Sequence, residues 1–175
     1  MNKPLAVISA PHKTYSGYGS RSRDIIKSII DLKKDEWDIQ IISQVWGDTR
    51  MSFIEDNPEW DFLNQYELKT QLTKQPDYFL QITVPNEFQP IGKYNIGITA
   101  GIESTAVPHN WIEGANKMDT VWVSSKHSKK VFEDTQYEQK DQHGRTVKIL
   151  KLEKPINVVM EGSPLTTYKK IEWVD

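Results

Sequence analysis

The chain has 175 residues, of which 37% are hydrophobic and 26% charged, a composition typical of one ordinary globular domain with a real core. The 22 basic and 24 acidic residues give a formal net charge of -2, which argues against a protein that attracts nucleic acid by its overall field. The chain has no cysteine, no signal-peptide pattern and no apolar run of the roughly 18 residues that span a membrane, so we expect a cytoplasmic protein without disulfides.

The first predicted unit is a strand, a turn with two glycines, and a helix. Leu5 to Ala10 is a short apolar run without polar alternation, which is typical of a strand buried on both faces of a parallel sheet. A turn over residues 11–19 follows. Beyond it, the apolar residues of the predicted helix fall on one face: Ile25, Ile26, Ile29, Ile30 and Leu32.

Strands and helical stretches then alternate. Further strands are expected over residues 37–43, 78–84, 95–100, 120–124 and 156–160, with helices near residues 62–72, 108–118 and after residue 125. This alternation predicts an α/β domain of three α/β/α layers, Rossmann-like, with a mostly parallel, doubly wound sheet. We expect the strand order 3-2-1-4-5-6 or a close variant, with the loops at 15–21 and 101–107 on the same edge of the sheet.

One polar stretch interrupts the alternation. Residues 136–154 have a central turn, Asp141-Gln142-His143-Gly144, and a limb in which Val147, Ile149 and Leu150 are interspersed with lysines. This pattern predicts a β-hairpin inserted at the surface of a single domain that spans residues 1–175.

The turn between the first strand and its helix is the first candidate site. Its glycines would let the backbone approach a ligand, and the free N–H groups of the helix would favour an anion or a sugar hydroxyl. The dinucleotide fingerprint is absent because Ser22 stands where its third glycine would be. A tight turn without a ligand fits this segment equally well. The candidate residues are Ser16, Gly17, Tyr18, Gly19 and Arg21.

The second candidate site follows the fourth strand, at Gly101, Glu103, Ser104 and Thr105. Ligands of open α/β sheets bind at the carboxyl ends of strands, and a carboxylate there can act as a base or hold hydroxyls. From the residues alone, the structural alternative is favoured for a single glutamate: Glu103 bonds the next loop, and Ser104 or Thr105 caps the helix near Pro108.

Three further features complete the candidates. Ser124 and Ser125 end the fifth strand, where serine is more often a helix cap than a catalytic group. Glu161 and Gly162 form the turn after the last strand. The four histidines lack the spacing of a helical metal pair, so we predict no metal, and Trp46 follows a strand end and could face a ligand.

The order of these segments resembles the amino-terminal domain of the GT-B glycosyltransferases, a large group with bacterial and phage members. Gly101 to Thr105, a Trp-bearing helix from Pro108, and Val121-Trp122-Val123-Ser124-Ser125 make the most specific part of the likeness. The glycine turn at 16–21 and the strand with its turn at 154–162 are also similar to the group's segments. Val84 to Phe88 is similar to a segment in some glycosyltransferases of contractile-tailed phages.

The resemblance implies the acceptor-side half of an enzyme that moves a sugar from a nucleotide-sugar substrate to the hydroxyl of a small-molecule or glycan acceptor, without a cofactor. Glu103 would be the catalytic residue, because many members have histidine or aspartate near this strand end and this chain offers only Glu103. The group's donor-binding carboxyl-terminal domain is missing from these 175 residues, so we expect them alone to be inactive. The alternatives are a non-catalytic nucleotide- or sugar-binding module and a viral structural or assembly protein of the same fold.

Overall fold

A computed structural model describes residues 3–162 of the chain. Its helices are α1 (Gly17–Lys33), α2 (Phe53–Asp56), α3 (His109–Ala115) and α4 (Lys126–Asp134), with short 3-10 helices at Pro58–Tyr66 and Pro85–Glu87. Its strands are β1 (Leu5–Ala10), β2 (Asp38–Ser43), β3 (Tyr78–Ile82), β4 (Tyr94–Thr99), β5 (Thr120–Val123), β6 (Gln136–Lys140), β7 (Thr146–Lys151) and β8 (Ile156–Val158). In this part of the chain, no helix is long and apolar enough to cross a membrane.

Six strands form one parallel sheet in the order β2-β1-β3-β4-β5-β8. The predicted α/β class and parallel sheet are therefore confirmed, whereas the order 3-2-1-4-5-6 is wrong because β3 lies beside β1. Burial explains the difference: Phe79 and Leu80 of β3 are buried on opposite faces, as an inner strand requires. Asp38 of β2 is exposed, which suits a strand at the edge of the sheet.

Helices cover both faces of the sheet and make the three layers. Ile25, Ile26 and Ile30 of α1 pack on one face, against side chains such as Ile8 and Leu80. Residues of α3 and α4, including Ile112 and Phe132, pack against the opposite face. The chain therefore leaves β1 toward one face and leaves β4 and β5 toward the other, which is the doubly wound arrangement.

The helix predicted near residues 62–72 is wrong. A 3-10 helix at Pro58–Tyr66 replaces it, and the chain beyond is extended. The N–H of Leu68 donates to the carbonyl of Ile41, and Glu67 forms a parallel bridge with Ile41, so this stretch continues the sheet beyond β2. The apolar residues of this stretch are too widely spaced to hold a helix against the sheet. Its backbone groups bond the edge strand instead, and these bonds determine the extended conformation.

The inserted segment forms an antiparallel hairpin of β6 and β7, which corresponds to the hairpin predicted at 136–154. Every residue of β6 is exposed, and in β7 only Leu150 is partly covered. Tyr137 attaches the hairpin to the domain, because its hydroxyl donates to the carbonyl of Val107 at 2.6 Å. The hairpin therefore lies outside the core and does not disturb the sheet.

Candidate functional site

A cleft of about 470 Å³ opens at the carboxyl edge of the sheet. Because all six strands are parallel, this edge collects the loops that follow them, and the cleft lies where the chain turns to opposite faces of the sheet. Its lining comes from the first two turns of α1, the ends of β3 and β4, Trp46 after β2, and the turn after β8: Gly17, Tyr18, Ser20, Arg21, Asp24, Trp46, Ile82, Ile98, Thr99, Ala100, Glu161 and Gly162.

The first turn of α1 is held by its own cap. The Ser16 hydroxyl accepts the N–H of Gly19 at 2.9 Å and lies 2.7 Å from the hydroxyl of Thr14. Ser16 is thus a helix cap, and it is absent from the cleft lining. Gly19 is buried, and the carbonyl oxygen of Thr14 lies so close to it that a side chain would not fit. Gly17 faces open space and lines the cleft.

Tyr18 joins α1 to β4 across the cleft. Its hydroxyl lies 2.9 Å from the hydroxyl of Thr99 and accepts the N–H of Ala100 at 3.2 Å. Its ring stacks on Trp46 with the ring centroids 4.2 Å apart. Burial raises the pKa of the Tyr18 phenol above its ordinary value, and the hydrogen bonds to Thr99 and Ala100 oppose the shift. Tyr18 is therefore a neutral, fixed wall of the cleft.

Arg21 lines the cleft, but its guanidinium is already engaged. Nη1 donates to the carbonyl of Met160 at 3.2 Å, and Nη2 donates to the carbonyl of Val159. Nε lies 4.0 Å from a carboxylate oxygen of Glu161, and only 11% of the Arg21 side chain is exposed. Arg21 thereby holds the segment after β8 against α1, which brings Glu161 and Gly162 into the cleft.

Asp24 is a cleft residue that the sequence reasoning missed. Asp24 is an exposed residue, and the partial burial of its carboxyl raises the pKa of that group above the ordinary value, while Arg23 and Arg21 act in the opposite direction. Within residues 3–162 its carboxylate has no hydrogen bond or ion pair. The signal that would have found it is helical spacing, since Gly17, Arg21 and Asp24 stand at i, i+4 and i+7 on one face of α1.

The joint after β4 contributes less than its sequence suggested. Ala100 lines the cleft, whereas Gly101, Glu103, Ser104 and Thr105 do not. Glu103 is exposed and makes no hydrogen bond or ion pair with the described residues. The Ser104 hydroxyl donates to the carbonyl of Ala106 at 2.7 Å, so it stabilises the loop itself. The structure therefore does not bring Glu103 to Gly17 and Tyr18, and its catalytic role stays a prediction.

The two serines after β5 have structural partners. Ser125 caps α4, and its hydroxyl accepts the N–H of Ser128 at 3.0 Å. The Ser124 hydroxyl donates to the carbonyl of Ala100 at 2.9 Å. Both serines lie outside the cleft lining, although Ser124 fixes Ala100, which belongs to it.

A buried polar cluster supports the loop between β1 and α1. The Arg23 guanidinium donates to the carbonyls of His12 and Thr14 at 2.7 and 3.0 Å and lies 3.4 Å from the centre of the Phe53 ring. His12 is fully buried, and its Nε2 lies 3.4 Å from a carboxylate oxygen of Glu67 without a hydrogen bond. Burial lowers the pKa of His12, and the contacts with Ala10 and Glu67 oppose this shift.

Over residues 3–162, no three histidine, aspartate or glutamate side chains come together in a way that could hold a metal ion. Comparison of the chain with models of protein families, with curated proteins and with solved structures gave no match. The chemistry of the cleft must therefore be inferred from its own residues.

Proposed function

We propose that this chain is the acceptor-side half of a glycosyltransferase that moves a sugar from a nucleotide-sugar donor to a hydroxyl acceptor. The observation that supports the proposal is the cleft at the carboxyl edge of the sheet, since parts of two segments singled out from the sequence line it. These are Gly17, Tyr18 and Arg21 from the glycine turn, and Glu161 and Gly162 from the turn after β8. The crevice at this edge is where ligands of doubly wound folds bind.

The charges of the cleft fit an acceptor better than a nucleotide diphosphate. Transfer leaves a diphosphate whose developing charge must be stabilised, in general by cations, helix ends or metal ions. Arg21 is the one basic side chain in the described lining, and its guanidinium is engaged by backbone carbonyls. We therefore assign the donor contacts to a second domain, and we expect these 175 residues alone to give no sugar transfer.

The proposal is tested with the full product of the coding region that contains this chain. It is incubated with a panel of nucleotide-sugars and hydroxyl acceptors, and the release of nucleoside diphosphate and the mass of the acceptor are measured. Gly17→Leu should reduce transfer by about tenfold or more, because the side chain fills the cleft, and each 1.4 kcal/mol of lost stabilisation is a factor of ten. Asp31 is exposed on the same helix, so Asp31→Leu is the matched control. Robust transfer by the 175 residues alone would contradict the half-enzyme assignment.

The proposed catalytic role of Glu103 needs its own variant. Glu103→Gln keeps the size of the side chain and its ability to hydrogen-bond while removing the charge. If Glu103 is the general base of the full enzyme, turnover should fall by about 10² to 10⁴, the usual contribution of such a base. Unchanged turnover with normal thermal stability would make Glu103 a surface residue.

A non-catalytic sugar- or nucleotide-binding module is the second candidate, and the exposed position of Glu103 outside the cleft favours it. A module of this kind needs the cleft but no base. It predicts ligand-dependent stabilisation of the chain together with no transfer by the full product with any donor. Transfer that depends on Gly17 would exclude it.

A further inference from the structure

We propose that the cleft recognises an uncharged, hydroxyl-rich ligand through the carboxylate of Asp24, and that Arg21 is a positioning residue and not a phosphate ligand. The inference rests on the proposed function, because it names the class of ligand that the same cleft accepts. It departs from the interpretation of the glycine turn as an anion site and keeps the other one, a site for hydroxyl groups.

The first argument concerns the hydrogen-bond donors of Arg21. A phosphate is held in the usual way when a guanidinium presents two parallel N–H groups to two oxygens. In this chain both terminal nitrogens donate to main-chain carbonyls, those of Met160 and Val159, and Nε faces Glu161. Each terminal nitrogen has a second N–H, but the Arg21 side chain is only 11% exposed and faces the carboxylate of Glu161, so a phosphate would meet a buried guanidinium beside a negative charge. Because Arg21 bridges α1 and the segment 138 residues away, its role is to shape the cleft.

The second argument concerns the charge of the cleft. Its charged side chains are the carboxylates of Asp24 and Glu161 and the guanidinium of Arg21, which leaves one net negative charge. The amino end of α1 adds a partial positive charge of about half a unit, and its Gly19 N–H is already used by Ser16. An anion therefore meets two carboxylates and one guanidinium that already donates hydrogen bonds to the main chain. A hydroxyl, which can donate to a carboxylate, meets no such repulsion.

The third argument concerns what surrounds Asp24. The Asp24 side chain is exposed in the cleft and its carboxylate oxygens have no partner among residues 3–162, so they are open to a hydrogen bond donated by a ligand. Partial burial raises the pKa of the group, and such a bond would stabilise the ionised form. Ser20 also lines the cleft, and the Trp46 ring, which stacks on Tyr18, supplies an aromatic surface. The hydroxyls of Tyr18 and Thr99 bond each other and form part of the wall. Polar groups beside an aromatic ring suit a pyranose, which carries hydroxyls at its edge and C–H groups on its faces.

The experiment is an NMR titration of the 175-residue chain, read at the backbone amides of Gly17, Tyr18, Ala100 and Gly162. The probes are a panel of methyl glycosides of glucose, galactose and mannose, and separately uridine diphosphate and inorganic pyrophosphate. At least one methyl glycoside should shift these amides, and pyrophosphate should not. Asp24→Asn should weaken that glycoside by about tenfold, the usual value of a hydrogen bond to a charged group. Asp24→Glu should retain part of the affinity, and Asp31→Asn, exposed on the same helix, should leave it unchanged.

Three outcomes overturn the inference. Shifts of these amides by uridine diphosphate or pyrophosphate, with no effect of any glycoside, overturn it and place donor contacts in this cleft; sugar transfer by the full product remains the separate test of the enzymatic function. Glycoside binding that is the same in folded Asp24→Asn and wild type overturns the role of Asp24. No shift with any probe overturns both the inference and the proposed acceptor role. Glycoside binding without sugar transfer by the full product supports the inference and contradicts only the enzymatic function.

Discussion

Two loops at the same edge of the sheet have opposite characters. The loop between β1 and α1 is anchored along its length by hydrogen bonds. Arg23 donates to the carbonyls of His12 and Thr14, and Ser16 caps the helix that begins there. The loop between β4 and α3 is held at its two ends. Ser124 donates to the carbonyl of Ala100, and the main chain of buried Val107 bonds the hydroxyls of Thr135 and Tyr137, whereas residues 103–106 between them are exposed. The first loop and its helix build much of the cleft, whereas the second contributes Ala100 alone.

The difference shows that a loop at the right edge of a sheet is not sufficient for a site. A helix positions much of the cleft lining, as α1 does for Tyr18, Arg21 and Asp24. The tip of the loop after β4 extends away from such support. Rigid elements position binding groups better than exposed loop tips do, so the two loops should respond differently to substitution.

The largest effect is expected in the anchored loop, from Gly19→Ala. A Cβ at this position would overlap the carbonyl oxygen of Thr14, whose position is fixed by Arg23. Because the obstacle is backbone, we expect a loss of up to about 3 kcal/mol in the free energy of unfolding, the upper end of ordinary overpacking. Gly17→Ala is the matched control, since Gly17 has open space around it and should change stability by less than about 0.5 kcal/mol. Urea denaturation measures both, and equal losses would contradict the assigned packing.

In the loop after β4, Gly101→Ala should have the next largest effect. Gly101 has φ of 88°, which a residue with a Cβ rarely adopts, and an added Cβ would overlap the side chain of Ser128. The backbone conformation alone costs about 1–2 kcal/mol. Thermal and urea unfolding of Gly101→Ala measure this loss. The double variant Gly101→Ala/Ser128→Ala removes the overlap with Oγ of Ser128 but keeps the overlap with its Cβ and the backbone conformation, so recovery should be partial, and full recovery would exclude backbone strain.

A pH-dependent effect should separate the two loops further. His12 is buried with its pKa lowered, so the unfolded chain binds a proton more readily than the folded chain does. The stability that His12 contributes is complete above its ordinary pKa of about 6.5 and decreases as the pH falls through that value, by at most about 1.4 kcal/mol per pH unit. We expect the melting temperature of wild type to fall more steeply between pH 7 and pH 5 than that of His12→Gln. Parallel curves would show that His12 takes up its proton equally in both states.

The layers of the fold could be predicted from the sequence because their signals are local. An unbroken apolar run at Leu5 to Ala10 and one apolar face at Ile25, Ile26 and Ile30 are properties of single elements. The order of the strands depends on the crossover between β2 and β3, which runs through a 3-10 helix and extended chain and has no clear periodicity. Nothing local indicates on which side of β1 such a segment returns.

Part of the cleft could also be predicted from local signals. Gly17 and Tyr18 were singled out because glycines after a first strand often mark a ligand site, and Asp24 follows from helical spacing on the same face. The engagement of Arg21 was not predictable, because its partners are main-chain carbonyls of Val159 and Met160, far away in sequence. Main-chain acceptors have no residue type, so no sequence pattern marks them.

The smallest effect is expected from Glu103→Gln. This variant tests whether the tip of the loop after β4 lacks an anchor. Glu103 is exposed and has no hydrogen bond or ion pair with the described residues, so replacing its charge removes no contact that they make. Exposed substitutions of this kind change stability by less than about 0.5 kcal/mol. If Glu103 instead fastened the loop to the next one, as a structural glutamate would, the loss should approach the value of a hydrogen bond to a charged group, about 1.5–3 kcal/mol. Urea denaturation of Glu103→Gln beside Gly101→Ala therefore measures two neighbours with opposite expectations. A large loss in Glu103→Gln would mean that the tip of this loop is anchored after all, and that the two loops differ less than their contacts indicate.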